Sequence, residues 1–118
     1  MSARRQFRAA GVTFVDGYPS NLQRLHEIHE MAIEADVCLS ATLIRNPDNQ
    51  YDANAIEVHV PSLGVDAMVG HVPKELASKM APVMDDGTPV AAEVVEVVID
   101  PWHPDKPGLA VDAWRAEP

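Results

Sequence analysis

The chain has 118 residues, enough for one domain around one hydrophobic core. Aromatic residues make up 5% of it and ten prolines are spread along it, which points to an aliphatic core and excludes an all-helical bundle. The formal charge is −9; Arg4, Arg5 and Arg8 carry +3 of this, which leaves −12 for residues 9–118 and excludes the broad basic face of a non-specific DNA binder.

In chain order, Phe7 to Val15 is rich in β-branched and aromatic residues and predicts a first strand. Asp16, Gly17, Tyr18 and Pro19 are turn formers, and Ser20 is suited to cap a helix. Leu22, Leu25, Ile28, Met31 and Ala32 then recur near helical spacing, so a helix is expected to about Ala35. On it, His26 and His29 are close enough to share a metal ion, but no third or fourth ligand accompanies them and the HExxH spacing is absent. They read as a solvated helix face, and no metal is expected. Val37 to Ile44 predicts a second strand. Cys38 lies in its apolar run and reads as a small buried residue; as the chain's single cysteine it forms no internal disulfide.

Asn46 to Asp52 is a polar turn. Ile56, Val58 and Val60 alternate with Glu57 and His59, the pattern of a half-buried strand with its polar residues outward. Pro61 to Asp66 closes a hairpin into a strand over Ala67 to Val72. Pro73 suits a helix start, and Glu75 complements its positive end. Leu76, Ala77, Met80 and Val83 or Met84 face inward, and Pro82 is expected to limit this helix to about two turns. Asp85 to Pro89 is a turn. Ala91 to Ile99 is a Val-rich strand in which the spacing of Glu93 and Glu96 predicts a bulge. Pro101 to Gly108 is a rigid loop before a last strand, Leu109 to Trp114; Trp102 and Trp114 are expected to pack on each other or on the sheet, unless Trp102 marks a partner contact. Five or six short strands with two helices give a mostly β, α+β chain that fits a small, partly open β-barrel.

No apolar stretch is long enough for a signal peptide core or a membrane span, so a cytoplasmic protein is expected. Ser40 and Ser62 lack a nucleophile's partners and no phosphate-binding loop is present, so neither a catalytic set nor a cofactor is expected. The chemistry gathers instead at the joints between elements. Tyr51 offers a ring face on which a base can stack. Asp52, ionised, is acceptor-only: it repels phosphates but suits a free hydroxyl, or it bonds the amides of its own turn. Lys74 stands in the first turn of a helix, where exposed N–H groups also attract anions, and His71 can donate beside it. Asn49 and Asn54 shape the turn.

The pattern N-P-x-N-x-Y-D-x-N-A-I-x-V from Asn46 to Val58, with V-G-H-V-x-K-E-L-A from Val69 to Ala77 and A-P-V-M-D-D-G from Ala81 to Gly87, resembles the HIRAN domain. That module occurs at the N-terminus of SWI/SNF-type DNA-repair ATPases and as free-standing or fused domains in bacteria and phages. The resemblance implies an OB-like or SH3-like barrel spanning 1–118 as one domain, with residues 1–6 a disordered arm and 18–36 a helical insertion. It implies a module that holds single-stranded DNA at a free 3′-hydroxyl end, in a repair or replication setting beside a separate ATPase, helicase or nuclease chain. Phe14 and Tyr51 would stack the last bases, Asp52 would receive the hydroxyl, His71 and Lys74 would hold the backbone, and Asn49 would complete the site. Repair-ATPase members carry a basic residue and two tyrosines where this chain has Thr13, Phe14 and Val15. That difference, with the acidic charge, keeps a second reading open: a protein-interaction adaptor on the same scaffold.

Overall fold

A computed structural model describes residues 4–9, 18–64, 68–98 and 108–116. Its elements are β1 (Arg5–Arg8), α1 (Tyr18–Glu34), β2 (Leu39–Arg45), β3 (Ile56–His59), a 3-10 turn (Pro61–Leu63), β4 (Met68–His71), α2 (Lys74–Asp85), β5 (Val90–Val98) and β6 (Gly108–Arg115). The six strands form one antiparallel sheet in the order β1-β6-β5-β2-β3-β4. Helix α1 packs against both β4 and β5, which β2 and β3 separate in the sheet. The sheet therefore curls around α1 into a half-barrel, an OB-like α+β fold.

Strand alternation sets the register. Ile56 and Val58 of β3 and Leu39, Ala41 and Leu43 of β2 point inward, and Leu43 pairs with Val58. A one-residue slip would turn this whole apolar set outward. Among the described residues, the largest fully buried side chains are aliphatic: Leu25, Ile56, Leu109, Val58, Val60, Val69 and Val111. Burial of each is worth roughly 1.5–3 kcal/mol. Residue Val95 of β5 has no register partner, between Val94 paired to Val111 and Glu96 paired to Ala110, which is the bulge expected from the two glutamates.

Several boundaries move. The first described strand ends at Arg8, and the rest of the segment expected to be strand lies largely outside the described residues. Arg5 and Gln6, expected in a disordered arm, pair with Ala113 and Asp112. Helix α1 begins at Tyr18, so the expected turn contributes Tyr18 and Pro19 to its first turn, where proline's missing N–H costs nothing. Met31 is exposed, because Leu25, Ile28 and Ala32 define the buried stripe and Met31 lies off it. Cys38 is exposed too: Leu39 begins the inward alternation of β2, which turns the preceding residue outward. There the Glu93 carboxylate holds the thiol above its usual pKa.

Helix α2 runs for 12 residues, straight through Pro82. Proline removes one bond, but Ala81 is fully buried, Met84 packs on the core, and Arg45 grips Asp85 at the end. These contacts hold the last turn where sequence alone ends the helix. Val83 stays on the exposed side. Gly87 closes the helix at φ +90, a left-handed conformation that glycine adopts at little cost.

Candidate functional site

Two joints make the site: the loop between β2 and β3, and the junction of β4 with α2. The loop closes when Asn46 N–H donates to the Ala55 carbonyl at 2.9 Å. Inside it, Asn49 Oδ1 accepts from the N–H groups of Tyr51 (2.8 Å) and Asp52 (3.1 Å). Asp52 Oδ1 accepts from Asn54 N–H at 2.9 Å, an Asx turn. Both short side chains thus replace backbone partners and fix the loop's shape. The consequence is a Tyr51 ring held in solvent, 85% exposed. Asp52 commits one oxygen to its turn, and Oδ2 has no partner among the described residues. The turn-capping role and a ligand role are therefore compatible.

At the second joint, His71 ends β4 opposite Glu57, and Val72 N–H donates to the Ile56 carbonyl at 2.9 Å. Pro73 holds extended geometry (φ −53, ψ 142) and no side chain caps the helix it precedes. The first N–H groups of α2 therefore remain available to an anion, and the exposed Lys74 side chain stands among them.

Asn49, Tyr51, Asp52, His71 and Lys74, joined by Ala55 and Val72, line one shallow groove of about 360 Å³. The structure brings five of the six residues singled out in the sequence onto one surface; Phe14 lies outside the described residues. One wall carries an ammonium and helix N–H groups, the other a ring and a carboxylate. A ligand with an anionic group, a flat face and a donor matches all three.

Sequence reasoning missed Arg45. Its Nε and Nη2 donate to Asp85 Oδ1 (2.9 Å) and Oδ2 (3.1 Å), and its Nη1 donates to the Ala55 carbonyl at 2.8 Å. One guanidinium thus ties the loop, at Ala55 of the groove, to the far end of α2. The fork to Asp85 raises the Arg45 pKa, with the Asp52 charge adding to it, and holds the Asp85 carboxyl below its ordinary range. Both partners lie in or beside the motif segments, but nothing in sequence couples residues this far apart. Asn46 Nδ2 bonds Glu57 Oε2 at 3.1 Å, and Glu57 Oε1 in turn meets His59 Nε2 at 2.9 Å, so His59, read as a surface residue, is half-buried and paired.

His26 lies 3.7 Å from Glu30. Among the described residues, no three His, Cys, Asp or Glu side chains converge, and no helix is long and apolar enough to cross a membrane.

Residues 6–104 match the family model of the HIRAN domain. A Fanconi-associated nuclease 1 homolog of Oryza sativa subsp. japonica is 38% identical over 63 residues, which is 53% of this chain and 6% of that protein. The chain thus corresponds to a small part of that relative. The crystal structure of a protein from Lactobacillus plantarum superposes with a TM-score of 0.68 at 24% identity, covering 98% of this chain and 97% of the other. The HIRAN domain of human HLTF superposes with a TM-score of 0.59 at 23% identity, covering 98% of this chain and 78% of that one. Both likenesses concern the fold.

Proposed function

The chain belongs to the HIRAN domain family, and we propose that it is a nucleic-acid-binding module that holds single-stranded DNA by a free 3′-hydroxyl end. The observation that carries this reading is the meeting of an exposed ring, a half-used carboxylate and a cationic helix start in one groove. Tyr51 stacks a terminal base, a contact worth about 1–3 kcal/mol. Asp52 Oδ2 accepts the hydroxyl proton and repels a terminal phosphate. Lys74, with the first N–H groups of α2 and His71, holds the adjacent phosphodiester. Phe14 stacks a second base, and Asn49 keeps the loop in shape. No catalytic step is assigned to the chain. A nuclease, helicase or ATPase working beside this module supplies the chemistry; the matching stretch makes up 6% of a relative named as a nuclease, which supports that setting.

The charge of −9 favours a second reading, an adaptor that binds protein without DNA. Titrating isotope-labelled protein with a short single-stranded oligonucleotide separates the two. The first reading expects amide shifts clustered at residues 49–55 and 71–76. Shifts elsewhere, or none, select the adaptor.

A further inference from the structure

A second groove lies farther along α2, and it shares no residue with the first. It has a volume of about 220 Å³ and opens where α2 passes the start of β5 and the end of β6. Its origin is visible in the strand pattern. On β6 the inward positions run Leu109, Val111, Ala113 and then Arg115; on β1, Phe7 faces in and Arg5 takes the same side one step earlier. Arg5 pairs with Ala113, and Arg115 pairs with Val90. The core-facing side of the sheet thus ends in two arginines at the protein's rim. Lys79 of α2 adds a third cation, and all three are exposed.

The floor between them is aliphatic: Leu76, Met80 and Val90 are half-buried and Val83 is exposed. Among the described residues, no carboxylate lines the groove, although the chain as a whole carries −9. Among the described residues, Arg5, Lys79 and Arg115 have no ion-pair partner. Three exposed cations around an apolar floor are the complement of one ligand chemistry, aliphatic side chains flanked by carboxylates.

We propose that this groove docks an acidic, aliphatic peptide segment of a partner protein, with the apolar side chains on the α2 floor and the carboxylates on Arg5, Lys79 and Arg115. Nucleic acid fits less well. Bases need a free planar face, and Trp114, the aromatic residue among the described lining, has one face already covered by the Arg4 guanidinium, 4.1 Å from its ring centroid. Apolar anchors give such a site affinity, while the rim charges give selectivity and salt dependence. The inference is independent of the DNA reading, since the two grooves use different residues.

The test pans a displayed library of random peptides on the whole protein. Enrichment of sequences with adjacent aliphatic residues flanked by Asp or Glu is expected. The affinity of the best such peptide, fluorescently labelled, should fall about tenfold or more in the double variant Lys79→Glu/Arg115→Glu, as reversal of two rim charges implies. The Val83→Asp variant should weaken it independently through the floor. Thermal melting of both variants checks that the fold persists. Enrichment of neutral or basic sequences, or none, overturns the proposal. So does an acidic peptide that binds both variants as it binds the wild type. If the double variant instead loses affinity for a single-stranded oligonucleotide, the groove is a nucleic-acid track. If the free protein self-associates and the double variant is monomeric, the groove is a self-association face. Either result also overturns the proposal.

Discussion

Asp52 divides its carboxylate between the protein and the proposed ligand, and the two roles can be separated by substitution. Asn keeps an oxygen for the Asn54 N–H and removes the charge; Ala removes both. Asp52→Asn should therefore melt close to wild type, whereas Asp52→Ala should lose about 1 kcal/mol, the value of a local side-chain cap. Equal destabilisation by both would show that the turn depends on charge. Asn49 accepts two amides, so Asn49→Ala should cost about 1–2 kcal/mol in chemical denaturation. No measurable change would mean that the loop is held by its backbone alone. That Tyr51, Asp52, His71 and Lys74 share one groove was legible because the family motif places them at the joints between elements. The Arg45–Asp85 fork was not, because side-chain pairing across the fold leaves no periodic trace. Cys38 misled because an apolar neighbourhood does not reveal which way a strand faces.

Among the elements, α2 departs most from its sequence signal. Pro82 suggests a stop, but the buried Ala81, the packed Met84 and the Arg45–Asp85 fork extend the helix to Asp85. Because Arg45 holds the Asp85 carboxyl below its ordinary pKa, the fork contributes stability that is complete above the ordinary carboxylate range. That contribution is lost as pH falls through the lowered value. It is modest, since Asp85 is more than half exposed. Urea unfolding measured from neutral pH down to about pH 3 should show a shallower acid decline in Asp85→Asn than in wild type. Parallel declines would contradict the fork's role. The alternation of β3 and the bulge of β5 were legible because strand periodicity is local. The start of α1 and the end of α2 were not, and at α2 tertiary contacts set the end.

At the scale of the whole molecule, six strands curl around α1, and Leu25 at its centre is fully buried. Helix α1 is thus a structural wedge. Leu25→Ala should cost about 2–5 kcal/mol and unfold the protein in one cooperative transition. A loss below 1 kcal/mol, or a separate early transition for α1, would show that the sheet stands without it. The half-barrel was expected from strand count and turn spacing; the part α1 plays in closing it was not, because helix periodicity does not say what a buried stripe packs against. The same curl brings the 46–55 loop beside the start of α2 and so creates the groove on which the functional reading depends. The most direct measurement is fluorescence anisotropy of short DNAs that end in a 3′-hydroxyl, a 3′-phosphate or a blunt duplex, across a salt series. The account predicts that the 3′-hydroxyl strand binds best, with a salt slope of roughly two to three charges, and that Asp52→Asn removes the discrimination against the phosphate. Equal binding of every end, or of none, would contradict it.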